Sequence, residues 1–188
     1  MLRARFNIKK MQSASWMLGM EVTVDRKAGT IKLTQRGYFK RALERYGLAQ
    51  CKVVSSPEVP GASTASGSPE LDAPADRQRY MEMVGTLMYG AISTRPDIAH
   101  AVHYLASNML APTTRHMQAA ERVFRYVAGT LDVGLVFGAR NGSAFTESRG
   151  RSPQVQLDVC AFADADWANN KGDRKSISGW VAKINGTR

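Results

Sequence analysis

The sequence has 188 residues, 44% of them hydrophobic, which is enough for one domain or two small ones with a buried core and excludes wholesale disorder. Twenty-six Lys and Arg stand against 16 Asp and Glu, and the formal net charge of +10 favours an anionic partner, nucleic acid foremost. Two cysteines, Cys51 and Cys160, exclude a disulfide framework and a zinc-ligand spacing, and no apolar run reaches the roughly 18 residues that a membrane-spanning helix needs.

The first residues, MLRARFNIKKM, are basic and poor in acids like a transit peptide, but they lack the apolar stretch of a secretory signal. Residues 18–34 read as a β-hairpin. Met20, Val22 and Val24 alternate with polar residues, as do Ile31 and Leu33, and Asp25 to Gly29 supplies the turn. A helix is expected from an N-cap at Thr34 to about Tyr46, with Tyr38, Phe39, Ala42, Leu43 and Tyr46 on one side and Gly47 ending it. Residues 52–76 hold four of the seven prolines among small polar residues, and read as an extended linker or surface strap.

Three helices follow. Tyr80, Val84, Leu87, Met88 and Ala91 have helical spacing. A second helix opens at Thr94-Arg95-Pro96-Asp97, which resembles a capping box with proline in the first turn, and carries Ile98, Ala101, Val102, Leu105 and Met109 until Pro112. The third carries Met117, Ala120, Phe124, Val127 and Leu131. Their short connections predict a small bundle. Residues 140–153 read as a loop. Val155 to Asp166 reads as a strand, 176–184 as its hairpin partner, and Asn169 to Lys175 as a polar loop between them.

Three features bear on chemistry. Arg115, Arg122 and Arg125 fall opposite the Met117/Phe124 stripe, so the third helix can bury one side and lay arginines along a phosphate backbone; a solvated polar face has the same spacing. Asp164 and Asp166 point the same way from one strand, as two metal-binding carboxylates would, although a surface turn places them equally well. His100 and His103 lie one turn apart near Asp97 and read as ordinary helix-face histidines.

Five segments, taken in order, resemble the Ty1/copia class of retrotransposon Pol polyproteins: RFNIKKMQSASWMLGMEV (5–22), GTIKLTQRGYFKRALERYGL (29–48), YMEMVGTLMYGAISTRPDIAHAVHYLA (80–106), AAERVFRYVAGTLDVGLVF (119–137) and AFADADWANNKGDRKSISGWV (161–181). The resemblance covers most of the chain and makes its start ordinary domain sequence. It implies an α+β chain: a palm remnant with a primer-grip hairpin at 1–48, a linker at 49–76, thumb-like helices at 77–137, a loop at 138–153 and a truncated start of ribonuclease H at 154–188. Trp16, Met17, Leu18, Gly19 and Met20 then correspond to the primer grip. Arg115, Arg122 and Arg125 become candidate contacts to a template–primer duplex. Asp164 matches the first ribonuclease H carboxylate, one ligand of two Mg2+ in the intact family enzyme. Asp166 and Trp167 belong to the same motif.

The resemblance also departs from the family. The chain has no Asp-Asp pair, whereas these polymerases carry Tyr-x-Asp-Asp upstream of the primer grip; the later ribonuclease H carboxylates are missing as well. The expectation is a reverse transcriptase and ribonuclease H fragment, inactive alone and without tightly bound Mg2+. It would bind nucleic-acid duplexes without sequence preference, in the cytoplasm or nucleus, with ends less stable than the helices at 77–131. A DNA-binding regulator domesticated from a transposon is the alternative. An enzyme completed by carboxylates from another chain is a third reading.

Overall fold

A computed structural model describes residues 14–59, 73–138, 159–165, 176 and 178–184. The basic start, the middle of the Pro-rich segment, the loop at 140–153, Val155, Leu157, Asp166, Trp167 and the loop from Asn169 to Lys175 lie outside the described residues. The fold is α+β. Strands β1 (Trp16–Met17), β2 (Met20–Asp25), β3 (Thr30–Thr34) and β4 (Leu135–Gly138) form an antiparallel sheet in that order. Helices α1 (Arg36–Arg45), α2 (Arg77–Ser93), α3 (Ala99–Ser107) and α4 (Thr114–Gly129) supply the core. Strands β5 (Val159–Ala165) and β6 (Ser178–Ile184) form a separate two-stranded antiparallel sheet.

Local chemistry explains most boundaries. In the β2–β3 turn Asp25 Oδ1 accepts from the backbone N–H of Lys27 and Ala28, both at 2.9 Å, and Gly29 takes φ +64°. Helix α1 ends in a Schellman arrangement: Leu48 N–H donates to Leu43 O at 2.7 Å and Gly47 N–H to Glu44 O at 3.1 Å, with Gly47 at φ +75°. Its N-cap is Gln35 rather than Thr34. Helix α2 is capped by Asp76, which accepts from Arg79 N–H.

The capping box expected at Thr94 is absent. Thr94 Oγ1 donates instead to Gln35 Oε1 at 2.8 Å, a buried bond between the C-terminal end of α2 and the start of α1. Residues Pro96–Ile98 form a 3-10 turn ahead of α3. A capping box does occur one helix later, where Thr113 and His116 cap α4.

Phe39, Ala42, Leu43 and Tyr46 of α1 sit in one core with Tyr80, Met83, Val84 and Leu87 of α2, Ala101, Val102 and Leu105 of α3, and Ala120, Val123, Phe124 and Val127 of α4. Strand β4, not foreseen from the sequence, pairs with β3 through Leu33↔Leu135 and Ile31↔Phe137. Residues 16–46 and 80–138 therefore share a core and a sheet, and β3 is flanked on both sides. In contrast, the described side chains of β5 and β6 are all exposed, Phe162 and Trp180 included. A lone two-stranded hairpin of this kind is marginal in water.

Helices α1 and α2 come close at Gly90, where an added Cβ would lie 2.2 Å from Phe39 Cζ in the buried core. Gly90→Ala is expected to overpack this contact and to lower unfolding free energy by about 1–3 kcal/mol despite the better helix propensity of alanine. Denaturant titration followed by circular dichroism checks it; an unchanged midpoint would show that Phe39 moves aside at no cost.

Candidate nucleic-acid interface

The tip of the β1–β2 hairpin is built by a two-residue turn, Leu18-Gly19, with φ +49° and +76°. Two successive positive φ values match the twist of a tight hairpin. Trp16 and Leu18 are 55% and 79% exposed, so the tip presents apolar side chains to solvent. It is nevertheless held in place. Glu21, paired with Trp16, accepts from Gly37 N–H at 2.8 Å at the start of α1, where a carboxylate also meets the positive end of the helix dipole. Tyr89 of α2 donates its hydroxyl to Leu18 O. The candidate residues Trp16, Met17, Leu18 and Gly19, with the partly buried Met20, thus form one short, anchored ridge.

The candidate arginines lie on α4 as spaced, but not on an open face. All three are partly buried. The irregular segment 51–59, the first part of the Pro-rich stretch, lies against this face. Arg125 Nε donates to Lys52 O at 2.7 Å, and Arg122 Nη2 to Ser56 Oγ at 3.1 Å. Glu58 reaches His100 Nδ1 of α3 at 2.7 Å. Val53 lies against Gly129, where an added Cβ would come within 3.2 Å of it. Arg115 sits beside Tyr104: burial raises that phenol's pKa, the Arg115 charge lowers it and Glu58 raises it further. Sequence spacing identified the arginine face but not the strap upon it. The available signal was the run of prolines, which deprives segment 52–76 of backbone donors and makes it dependent on side chains for anchorage.

The arginines differ in their partners. Arg36 pairs with Asp132, Arg45 with Glu82 at 2.7 Å, and Arg95 with Asp97 at 2.7 Å. The hydrogen bonds of Arg122 and Arg125 run to an uncharged hydroxyl and an uncharged carbonyl. A neutral acceptor orients a guanidinium without neutralising it, and neither Arg122 nor Arg125 has an ion pair among the described residues. Lys40 and Arg41, exposed on α1, add further positive charge without an ion pair among the described residues.

Arg95 fixes where α4 ends. It is 1% exposed, and its Nε and Nη2 donate to both Asp97 carboxylate oxygens while Nη1 and Nη2 donate to Thr130 O and Oγ1 at 3.0 and 2.7 Å. Tyr126 completes the cluster, with its ring 5.5 Å from the guanidinium carbon and its hydroxyl donating to Asp97 Oδ2 at 3.0 Å. Thus Arg95-Pro96-Asp97 and Arg125-Tyr126…Gly129-Thr130, two of the segments singled out in the sequence, meet in space.

Asp164 lies on β5 opposite Gly179, exposed, and its Oδ1 accepts from the neighbouring Ala165 N–H at 2.9 Å. Among the described residues no group of three or more His, Cys, Asp or Glu is placed to hold a metal ion. These residues alone do not fit a two-Mg2+ cage, and no step through a metal follows from them. No helix among them is long and apolar enough to cross a membrane.

No family model matches the chain, and no solved structure matches it. Over 185 residues, 97% of the chain, it is 34% identical to the retrovirus-related Pol polyprotein from transposon RE1 of Arabidopsis thaliana. Over 189 residues, 98% of the chain, it is 30% identical to the retrovirus-related Pol polyprotein from transposon TNT 1-94 of Nicotiana tabacum. The chain spans 11% and 13% of the lengths of these two proteins. It is also 28% identical over 179 residues to an uncharacterized mitochondrial protein of Arabidopsis thaliana, covering 95% of the chain and 66% of that protein.

The Arg95 cluster has a pH signature. Burial works against the Asp97 charge, but the hydrogen bonds and charge of Arg95, with the Tyr126 hydroxyl, outweigh it and hold the carboxyl below its ordinary value of 3.8. A depressed folded-state pKa contributes stability that is full above the unfolded value and is lost as pH falls through the folded one. Unfolding free energy is expected to drop as pH falls below about 4. Asp97→Asn, which strands a buried guanidinium, should cost about 3 kcal/mol at neutral pH and remove this part of the acid dependence. An acid limb unchanged by the substitution would refute the assignment.

Proposed function

As this chain belongs with the retrovirus-related Pol polyproteins of copia-type transposons, we propose that its described core is a surface on which the reverse transcriptase part of such a polyprotein supports a template–primer duplex. The observation that carries the reading is that Arg122 and Arg125, on a helix tied down by the buried Arg95 cluster, are oriented by neutral acceptors and have no ion pair among the described residues. Phosphate oxygens are natural partners for guanidinium groups oriented in this way. Backbone contacts of this type are indifferent to base sequence.

The hairpin tip has a separate role in this reading. Trp16, Met17, Leu18, Gly19 and Met20 act as a primer grip: an exposed indole and thioether offer sugar and base faces an apolar contact, while the positive-φ Leu18-Gly19 turn lets a strand come close to the backbone. Arg115, Arg122 and Arg125 hold the phosphates, with Lys40 and Arg41 adding long-range attraction. The partner is an RNA–DNA or DNA duplex. This role is binding and positioning. The sequence holds no adjacent pair of aspartates for nucleotidyl transfer. Asp164 is read as one ribonuclease H carboxylate, whose metal-binding companions would come from residues other than those described.

Fluorescence anisotropy with a labelled RNA–DNA duplex tests the reading. Affinity should fall steeply with salt and be indifferent to sequence. Arg122→Gln should reduce the slope of log K against log salt by about 1. Trp16→Ala should weaken a duplex with a recessed primer 3′ end more than a blunt one. Absence of binding at low salt would refute the proposal, and strong sequence preference in competition would favour a regulator instead.

A further inference from the structure

The strap over α4 contains Ser55-Ser56-Pro57-Glu58, and the environment of Ser56 is unlike that of an ordinary surface serine. Its Oγ donates to Glu58 O at 2.5 Å and accepts from Arg122 Nη2 at 3.1 Å. Arg122 Nε is buried and has no hydrogen-bond partner among the described residues. The guanidinium therefore spends one donor on a neutral hydroxyl and leaves another unmet beside it. An unmet buried donor on a charged group carries a desolvation cost that an anionic acceptor would recover.

We propose that Ser56 is a phosphorylation site whose phosphoryl group is held by Arg122, fastening the strap to α4. Proline immediately after the serine suits a proline-directed protein kinase. Segment 51–59 has neither helix nor strand, and its described anchors beyond Cys51 are side-chain bonds that an enzyme can displace. In the reaction, Ser56 Oγ attacks the γ-phosphorus of a nucleoside triphosphate. The bond from that phosphorus to the bridging oxygen breaks, the nucleoside diphosphate leaves, and the hydroxyl proton passes to the kinase's base.

The product exchanges one neutral hydrogen bond for charge-assisted ones. A phosphoserine carries about −1.5 to −2 charge and three acceptor oxygens, enough to take both Nη2 and the unmet Nε of Arg122. Glu58, whose backbone Ser56 touches, is an acid beside it among the described residues, and its carboxylate is engaged by His100 at 2.7 Å. The bond from Ser56 Oγ to Glu58 O is lost in the exchange.

The test uses the full chain with a proline-directed kinase and Mg-ATP. Peptide mass spectrometry should place one phosphoryl group on Ser56 and none on Ser55. The 31P resonance should titrate below the ordinary second ionisation of phosphoserine, about pH 6, and Arg122→Gln should return it to that value. Phosphorylation should raise the Tm by about 3 °C, a gain that the glutamine variant loses. Arg122→Lys keeps the charge but not the fork; it should show a smaller shift, and it replaces the glutamine variant if that does not fold. Labelling of a peptide spanning 50–62 without labelling of Ser56 in the full chain would overturn the proposal. So would a phosphoserine whose titration ignores both substitutions at Arg122. Neither result depends on whether the chain binds a duplex.

Discussion

The C-terminal end of α4, and through it β4, is tied down by one buried cation. Arg95 is almost completely withdrawn from water, a state that is costly for a guanidinium unless its donors are met. The acceptors come from both ends of the chain segment it organises. Asp97 lies two residues ahead, across a proline that restricts the turn, and Thr130 lies just past the end of α4. Because β4 begins five residues after Thr130, fixing that residue also fixes where β4 meets β3. The adjacent Thr94 bonds to Gln35, so the same short stretch ties α2 to the start of α1.

From there the coupling runs to the hairpin tip. Phe39 presses on Gly90, Tyr38 meets Tyr89 edge to face at 5.1 Å, and Tyr89 holds the Leu18 carbonyl. The tip is exposed but has little freedom to reorient, since Glu21 and Tyr89 anchor it to different helices. This combination is what a contact surface requires: apolar side chains available to a partner, on a backbone whose geometry has been settled by the core.

Where local rules govern, the sequence was legible. The Asp25–Gly29 turn, Gly47 as a helix stop and the apolar stripes of the helices follow from φ preference and periodicity. They stand in the structure close to where they were expected. The misreadings share a physical cause. Thr94 has the right spacing for a cap, yet a buried glutamine 59 positions away competes for its hydroxyl. Gly134 to Gly138 is too short to alternate convincingly, and its partner strand lies about 100 residues earlier. The arginine spacing on α4 marked a polar face correctly, but nothing in that spacing says that residues 51–59 return to lie on it. For Asp164 the sequence offers a motif, while the described geometry offers only a solvent-exposed carboxylate on an isolated hairpin.

A chain of net charge +10 repels itself when compact, and its carboxylates do not offset this evenly. Asp97 neutralises the buried Arg95 at the end of α4, while Glu82 and Asp132 pair with exposed arginines of α1. Arg122 and Arg125 receive neutral acceptors, which set direction without cancelling charge. Added salt should then act in opposite senses on the two properties. It screens the mutual repulsion of exposed cations such as Lys40 and Arg41 and so favours the compact state, while it erodes the attraction of the same cations for a polyanion. A fold whose structural arginines are internally neutralised can tolerate that erosion, because the Arg95 cluster is sheltered from the ions that weaken the surface field.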